Sequence, residues 1–369
     1  MSKQLISIIL PDLSGGGAER LHVLLANYWQ SKDYKVHFVL MKKEGDLLSL
    51  VSKDIEIFQL EVKNIRKVIL PLAKYLKKKR PNIIISAMWP LTSVSVFSWL
   101  LSGKKGKIYL SEHVNWSSYL ASEELVSSKY LALTMRFTYK FASGLIAVSE
   151  GVKQDLIKIL NFEDKKITVI NNPVSNGTSK DSLSKKEKEK LWGPQFTFHI
   201  LSVGSLKRQK DHETLIKAFA IISKSYNAKL TILGEGNLRK NLETLIKSLE
   251  LNDKVVMPGF EVNPYPWYQS ADLFVLSSVY EGFGNVIVEA LECGVTVVST
   301  DCMSGPSEIL ENGRYGYLVP VSDHISLASS IEYALKNPLE KKVLVGRSKD
   351  FLVSTIAEKY LSYFELNNL

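Results

Sequence analysis

Two glutamates eight residues apart are the first candidates for chemistry in this chain. Glu281 and Glu289 lie on either side of a Gly-Phe-Gly-Asn turn in the segment SSVYEGFGNVIVEALECG. Glu281 follows an apolar stretch typical of a buried strand, whereas Glu289 lies among Val, Ile, Ala and Leu in a helical pattern. A buried carboxylate needs a partner, and the hydroxyl groups of a sugar or ribose are suitable donors. The alternative is that Glu289 faces solvent beside Glu292.

A glycine-rich turn near the start of the chain is a second candidate. In PDLSGGGAERL, Gly16 and Gly17 stand between a predicted strand and a helix that begins near Ala18. Glycines let backbone N–H groups approach a ligand, and the amino end of a helix favours an anion such as a diphosphate. Arg20 occupies the place of the third glycine in a dinucleotide-binding G-x-G-x-x-G pattern. A plain strand-to-helix turn is the alternative.

A third candidate is the cationic loop in LSVGSLKRQKDHETL, between another predicted strand and helix. It contains Lys207, Arg208 and Lys210. Cations at the carboxyl end of a strand suit a phosphate-rich ligand and can neutralise charge that develops on a leaving group. The alternative is a solvated loop.

The pattern along the chain predicts the elements that must position these residues. Seven apolar runs alternate with amphipathic stretches up to Asn172, a polar segment follows, and six further apolar runs then alternate with helical patterns. Such alternation indicates parallel sheets with helices on both faces. We therefore predict an α/β protein with two doubly wound, Rossmann-like domains, residues 1–172 and 173–354, facing a cleft. The pattern also allows the final helix, residues 355–369, to pack back on the first domain.

Composition excludes several classes of protein. The two cysteines are too few for a disulfide framework and lack the spacing of a zinc site, which favours a reducing cytosol. The uncharged run over residues 83–103 approaches the length of a membrane span, but Pro90 and six Ser or Thr residues interrupt it. We interpret that run as a strand, a loop and a core helix.

The positive charge is concentrated in the first half of the chain. Residues 1–172 contain 25 Lys or Arg and 15 Asp or Glu, whereas the remainder contains 22 and 23. This imbalance favours contact with anionic lipid headgroups or with a phosphate-bearing partner, unless the lysines only solubilise the surface. In LAKYLKKKRP the lysines fall on one helical face and Leu72, Tyr75 and Leu76 on another, typical of a membrane-surface helix or of an ordinary solvated helix.

These motifs together resemble the family 4 retaining glycosyltransferases, which have the two-domain glycosyltransferase B architecture. The resemblance covers nearly the whole chain and implies transfer of a sugar from a nucleotide diphosphate sugar with retention of anomeric configuration. It implies that Glu281 contacts the donor sugar and acts in catalysis, and that Glu289 binds the ribose. The turn that would lie against the sugar and diphosphate consists of Gly282, Phe283, Gly284, Asn285 and Val286.

The resemblance also assigns roles to residues outside that turn. Lys210 fits the family's lysine and is a predicted catalytic and donor-binding residue, but Ser205 stands where an arginine is usual. The second charge would come from Arg208 or Lys207, or the diphosphate would be held by Lys210 and the glycines alone. His113 is a predicted catalytic residue near the donor sugar and acceptor, although a lone histidine is more often structural.

The remaining expectations concern ligands and location. Gly259 and Phe260 would lie near the base of the donor, and Gly16 and Gly17 would contribute to donor binding. The chain has no Asp-x-Asp pair, so we expect no metal and no cofactor besides the nucleotide sugar, a UDP-sugar. The expected acceptor is a polyprenyl diphosphate-linked saccharide or growing glycan at the inner face of a bacterial membrane, in capsule or O-antigen synthesis. A cytoplasmic, peripheral membrane enzyme follows, with no nucleic-acid partner.

Three other classes of protein share parts of this pattern. A sugar-nucleotide 2-epimerase has the same architecture and would turn over the donor without an acceptor. A nicotinamide dehydrogenase would need the G-x-G-x-x-G pattern, which the chain lacks. A non-catalytic sugar-nucleotide-binding protein would need neither Lys210 nor the pair of acids.

Overall fold

The computed structural model describes residues 4–14, 16–122, 128–175, 177 and 183–366. The chain divides into two compact units. Unit 1 comprises Met1–Pro173 together with Val353–Leu369, and unit 2 comprises Val174–Leu352. The division therefore falls one residue beyond the boundary that the polar segment indicates, and the final helix belongs to the first unit.

Unit 1 is built on a parallel sheet of seven strands in the order β3-β2-β1-β4-β5-β6-β7. All of these strands coincide with apolar runs of the sequence. The strands are β1 (Leu5–Leu10), β2 (Lys35–Leu40), β3 (Glu56–Gln59), β4 (Ile83–Ala87), β5 (Lys107–Glu112), β6 (Gly144–Ala147) and β7 (Ile167–Val169). The helices are α1 (Gly17–Ser31), α2 (Ile69–Lys79), α3 (Leu91–Leu101), α4 (Trp116–Ser122), α5 (Ser128–Tyr139), α6 (Glu150–Leu160) and, from the end of the chain, α15 (Val353–Leu366).

The helices of unit 1 cover both faces of this sheet. Right-handed crossovers from β1 toward β3 place α1 on one face, and those from β3 through β7 place α2, α3, α5 and α6 on the other. The contacts agree, since α2 packs on α3, α3 on α5, and α5 on α6. The final helix α15 packs on α1, where the edge of the Trp29 ring meets Tyr360 and Phe364 at centroid distances of 5.9 and 6.1 Å. These fully buried aromatic rings attach the end of the chain to the first unit.

Unit 2 repeats the architecture with a parallel sheet of six strands in the order β10-β9-β8-β11-β12-β13. The strands are β8 (Phe198–Val203), β9 (Ala228–Leu233), β10 (Val255–Gly259), β11 (Leu273–Leu276), β12 (Thr296–Thr300) and β13 (Tyr317–Val319). The helices are α7 (Lys185–Trp192), α8 (His212–Ile222), α9 (Arg239–Ser248), α10 (Tyr265–Ser270), α11 (Asn285–Glu292), α12 (Pro306–Ile309), α13 (His324–Lys336) and α14 (Lys341–Ser348). Two doubly wound parallel sheets confirm the predicted α/β class.

The structure decides between the two interpretations of α2, a membrane-surface helix and an ordinary solvated helix. Leu72, Tyr75 and Leu76 of α2 are buried in the unit. They cannot form the apolar side of a membrane-surface helix, because they already face the core. The exposed residues of α2 are Leu70, near its start, and lysines. In the described ranges no helix combines the length and the apolar character that crossing a bilayer requires.

Candidate active site

The strand order places two predicted site residues beside each other in unit 2. The chain runs outward from β8 through β9 to β10, then returns to β11 on the other side of β8. Ligands of open parallel sheets bind beyond the carboxyl ends of the strands at such a reversal. Lys210 follows β8 and Glu281 follows β11, so residues 71 positions apart in sequence meet at one edge of the sheet.

Lys210 and Glu281 form a largely buried ion pair. Lys210 Nζ donates a hydrogen bond to Glu281 Oε1, and only 13% and 7% of the two side chains are exposed. Ser278 Oγ donates to the same carboxylate oxygen at 2.6 Å. A buried ion pair is tolerated when hydrogen bonds satisfy its members, and Ser278 supplies one of them. The pattern of the sequence did not single out Ser278, although it lies three residues before Glu281 at the end of the strand.

The loop that carries Lys210 is fastened to the loop that follows β11. Ser277 Oγ donates to the carbonyl oxygen of Lys210 at 2.8 Å, and Gln209 Nε2 donates to the carbonyl oxygen of Tyr280 at 3.0 Å. The aliphatic part of Lys210 lies over Gly204, where a Cβ atom would come within 3.2 Å of three of its carbons. These contacts direct the ammonium group toward Glu281.

The other basic residues of this loop lie outside the ion pair. Arg208 begins the 3-10 turn Arg208–Lys210, and its side chain is exposed, as are those of Lys207 and Ser205. A second cation for a diphosphate at this edge stays a prediction for Arg208 or Lys207.

Glu289 lies within α11 and has an aromatic partner. Tyr268 OH donates to Glu289 Oε2 at 2.9 Å, and burial together with the Glu289 charge raises the pKa of this tyrosine well above its usual value. One turn further along, Tyr265 OH donates to Glu292 Oε2 at 2.8 Å. Glu292 is 2% exposed, whereas Glu289 is half-buried. Glu292 therefore belongs to the interior, and Glu289 beside it is only partly exposed to solvent.

In the turn between the two acids, the Phe283 ring points into the core, so a ligand would meet the backbone of the turn. The Phe283 side chain is buried and its ring lies 5.5 Å from that of Phe351, so this phenyl group belongs to the core. Gly284 has a φ of +101° and caps α11. A Cβ atom at Gly305 would lie 1.8 Å from the carbonyl oxygen of Phe283, so only glycine allows the following loop to approach so closely. Gly282, Asn285 and Val286, which complete the predicted turn, are half-buried.

The two residues predicted to lie near the base of the donor stand at the end of β10. Gly259 ends β10 and accepts a hydrogen bond from the Gly234 backbone N–H at 2.8 Å, while the next side chain, Phe260, is 59% exposed. Both residues therefore lie at the carboxyl edge of the sheet, as a contact with the base would require.

The corresponding edge of unit 1 holds a pair of histidines. His113 follows β5, and its ring meets the edge of the His22 ring, from α1, at a centroid distance of 5.5 Å. His113 Nε2 lies 3.0 Å from Ser111 Oγ, and His22 Nδ1 donates to the carbonyl oxygen of Ala18 at 2.6 Å. In the part of the chain that the structure describes, the other nitrogens, His113 Nδ1 and His22 Nε2, are buried without a hydrogen-bond partner.

Burial keeps both imidazoles neutral. It lowers the pKa of His22 to about 4, and it lowers the pKa of His113 well below the usual range, with a smaller contribution from His22. A neutral imidazole has one nitrogen that donates and one that accepts, so His113 is suited to a hydrogen bond with a hydroxyl group rather than to carrying charge. No sequence signal singles out His22, because its position in a helical apolar pattern is typical of a core residue.

A buried carboxylate holds the loop that contains His113. Glu112 accepts hydrogen bonds from Trp116 Nε1 at 2.9 Å and from Tyr139 OH, and burial raises its pKa to about 7. Asp155 Oδ2 accepts from the backbone N–H of Trp116 at 2.7 Å. The residues on both sides of His113 are thus fixed by tertiary hydrogen bonds.

The predicted diphosphate turn of unit 1 carries an acid of its own. Gly16 precedes α1, and a Cβ atom there would lie 2.2 Å from Glu19 Oε2, while Gly17 is the first residue of the helix. Burial raises the pKa of Glu19, partly offset by a hydrogen bond from its own backbone, and Asp12 raises it slightly further. A phosphate at this helix end would meet the Glu19 carboxylate, so donor binding by Gly16 and Gly17 stays a prediction. Gly15 lies outside the described residues.

Comparison with known proteins defines the class. A family model described as Glycosyltransferase Family 4 matches residues 15–176, and one described as Glycosyl transferases group 1 matches residues 184–349. HepE from Anabaena, solved in complex with UDP and glucose, superposes with a TM-score of 0.81 at 21% identity, over 98% of this chain and 99% of that one. The fold is thus the two-domain glycosyltransferase B type. The chain belongs to the family 4 glycosyltransferases and is an enzyme of the hexosyltransferase type.

Relatives of similar length share about a quarter of their residues with the chain. It is 29% identical over 360 residues to the N-acetylgalactosamine-N,N'-diacetylbacillosaminyl-diphospho-undecaprenol 4-alpha-N-acetylgalactosaminyltransferase of Campylobacter jejuni, covering 94% of both chains. It is 27% identical over 321 residues to the capsular polysaccharide biosynthesis glycosyltransferase CapM of Staphylococcus aureus, covering 83% of this chain and 81% of that one.

Proposed function

We propose that the protein transfers a sugar, an N-acetylhexosamine, from a UDP-sugar to a lipid-linked saccharide during synthesis of a bacterial surface glycan, with retention of anomeric configuration. The observation that carries the proposal is the Lys210–Glu281 ion pair at the chain reversal of unit 2. A cation and an acid are held there beside a glycine turn and the half-buried Glu289.

The relatives support the class of acceptor and donor. The Campylobacter enzyme is named for transfer of N-acetylgalactosamine to an undecaprenyl diphosphate saccharide, and CapM for capsular polysaccharide synthesis. A second Campylobacter enzyme, 28% identical over 96% of this chain, is named for a similar transfer to an undecaprenyl diphosphate saccharide. The UDP found with HepE supports a UDP-sugar.

In the proposed reaction, the C–O bond between the sugar and the diphosphate breaks while negative charge grows on the departing phosphate. Lys210 has three N–H donors, of which one contacts Glu281, and it stabilises that charge. Glu281 accepts the sugar hydroxyls, and Glu289 accepts those of the ribose. No metal takes part in this proposal, because cations and backbone N–H groups neutralise the diphosphate.

Attack occurs on the same face from which UDP departs, and the departing phosphate oxygen takes the proton of the acceptor hydroxyl. Glu281 Oε1 already receives hydrogen bonds from Lys210 and Ser278, which makes this carboxylate a poor nucleophile and supports its role as a sugar ligand. A covalent glycosyl adduct on Glu281, found by mass spectrometry, would contradict this step. His113 lies in the acceptor-side unit and orients a hydroxyl group as a neutral partner.

A transfer assay tests the function. Purified protein is incubated with UDP-N-acetylglucosamine or UDP-N-acetylgalactosamine and a short-chain, water-soluble polyprenyl diphosphate disaccharide, and the products are separated by liquid chromatography. We expect a trisaccharide whose new linkage has the donor's anomeric configuration by NMR. A C2-epimerised donor formed without acceptor would support the sugar-nucleotide 2-epimerase instead. Nucleotide binding without any turnover would support the non-catalytic alternative.

A further inference from the structure

The helices α3 and α5 of unit 1 expose a set of apolar side chains at helical spacing. On α3, Phe97 and Leu101 are four residues apart, and Leu101 is 64% exposed. On α5, Leu133 and Phe137 are also four apart, and the series continues at Phe141 just beyond the helix. The two helices pack on each other, and the rings of Phe97 and Phe137 stack at a centroid distance of 6.1 Å. These five residues form one continuous surface, which we call the α3–α5 patch.

The patch is bordered by cations. Lys140 Nζ lies 4.8 Å from the centroid of the Phe137 ring and 5.0 Å from that of Phe141. Lys104 and Lys105 are exposed directly after α3. A lysine over an aromatic ring keeps its ammonium group in water while its aliphatic stem and the ring cover apolar surface.

The helices α2 and α3 and the described part of α5 contain no acidic residue, whereas the neighbouring α6 contains Glu150 and Asp155. Residues 64–79, 91–107 and 131–143, which include α2, α3 and the described part of α5, contain 11 Lys or Arg and no Asp or Glu. A protein partner recognised through a surface of this kind would have to be strongly acidic. A bilayer that contains anionic lipids offers both negative headgroups and an apolar interior, and so matches both features of the patch.

We propose that the α3–α5 patch is the surface by which this protein docks on an anionic phospholipid bilayer. Phe137, Leu101 and Leu133 enter the headgroup region, and the lysines around them contact lipid phosphates. The contact is peripheral and weakens as salt concentration rises, since its electrostatic part is screened. This inference rests on the proposed function in one respect, because docking would bring the enzyme to a lipid-linked acceptor. Binding to lipid can nevertheless be measured without any acceptor.

Vesicle sedimentation tests the docking surface. The protein is mixed with vesicles of phosphatidylcholine alone or with vesicles that also contain phosphatidylglycerol at about 40%, which gives them a negative surface potential. We expect sedimentation with the anionic vesicles only, and an affinity about tenfold lower for Leu101→Ser/Phe137→Ser and for Lys104→Glu/Lys140→Glu. The matched controls carry the same changes on unit 2, Val262→Ser/Ile325→Ser and Lys224→Glu/Lys342→Glu, and should bind as the wild type does.

The outcomes separate this inference from the proposed function. Wild-type protein that ignores anionic vesicles, or patch variants that bind like their controls, would overturn the docking surface. Transfer to the water-soluble acceptor should be unchanged in the patch variants, because none of these residues belongs to the donor or acceptor site. Loss of transfer in every protein, with lipid binding intact, would overturn the proposed function and leave the docking surface standing.

Discussion

The two units position their candidate residues in opposite ways. In unit 2, Lys210 and Glu281 are each other's partners, and Ser278 adds a further hydrogen bond to the acid. In unit 1, His22 and His113 meet edge to edge, each keeping one buried nitrogen without a hydrogen-bond partner within the described residues. One site is electrostatically complete before a ligand binds, whereas the other leaves polar atoms that a ligand could satisfy.

The proposed function relates this difference to the charge of the group that each site would bind. A diphosphate changes its charge during the proposed reaction, so its site needs a cation held in place before the reaction begins. An acceptor hydroxyl is neutral, and a neutral imidazole with an open nitrogen suits it. Charged groups must be paired when buried, whereas a neutral histidine can remain partly unsatisfied at a cost of about 1–3 kcal/mol.

The largest expected effect comes from breaking the ion pair. Lys210→Ala should lower kcat for transfer by about 100- to 1000-fold, since a positioned donor to the leaving group is lost. It also leaves Glu281 buried without its cation, which costs about 3–5 kcal/mol of stability. Steady-state kinetics and thermal unfolding measure the two effects.

The matched control for that substitution is Lys217→Ala, which breaks the exposed pair of Lys217 with Glu213. It should leave both activity and unfolding temperature nearly unchanged. The double variant Lys210→Met/Glu281→Gln removes the uncompensated charge. If it regained stability and also full activity, the ion pair would have no role in the reaction.

A smaller effect should distinguish the two neighbouring acids of α11. Glu289→Gln should raise the KM for the UDP-sugar about 10- to 100-fold, because hydrogen bonds to a charged group contribute about 1.5–3 kcal/mol. Glu292→Gln, whose partner is Tyr265, should leave that KM unchanged and affect only stability. Equal changes in KM for both variants would mean that the acids act through folding alone.

The histidine of unit 1 should respond less strongly. His113→Asn should lower kcat/KM for the acceptor about 5- to 10-fold, the value of one neutral hydrogen bond, while UDP affinity stays the same. His324→Asn, at the start of α13, serves as the control. Burial holds the pKa of His113 well below its usual range. The pH profiles of kcat for the wild type and for His113→Asn should therefore have the same shape between about pH 6 and 8.

The smallest effect concerns stability and pH. The pKa of His22 is about 4 in the folded protein, below the ordinary value of 6.5, so the unfolded chain binds the extra proton first. The free energy of unfolding should therefore fall as pH decreases through this window, by about 1 kcal/mol from His22 between pH 6.5 and 5.5. Urea unfolding of the wild type and of His22→Leu measures it. A variant with the same pH slope would show that His22 is not a source of this dependence.

The sequence predicted the sheets because the strands are apolar runs, and the central ones are buried on both faces of a parallel sheet. It also predicted Lys210 and Glu281, since both follow such runs at the end where ligands bind. Their direct contact could not be read from the sequence, because the two residues are 71 positions apart and meet only because β11 pairs with β8.

The details that the sequence did not predict depend on tertiary contacts between elements. Tyr268 is the partner of Glu289 because α10 packs on α11. Ser278 follows a strand, and its role is visible only from its hydrogen bond to the carboxylate that also binds Lys210. For α2 the sequence left a membrane-surface helix and an ordinary solvated helix open, because helical periodicity shows which face is apolar, not what covers it. The sequence also does not show what covers the turn between the two acids, so it did not predict that the Phe283 ring is buried.

The most direct test of the central claim is calorimetric titration of the wild-type protein with UDP, alongside GDP and the Glu289→Gln variant. The claim is that the carboxyl edge of the unit 2 sheet binds the nucleotide diphosphate of the donor. It predicts one UDP per chain, weaker binding of GDP, and UDP affinity reduced about 10- to 100-fold in the variant. Absence of UDP binding, or equal binding by the wild type and the variant, would contradict it.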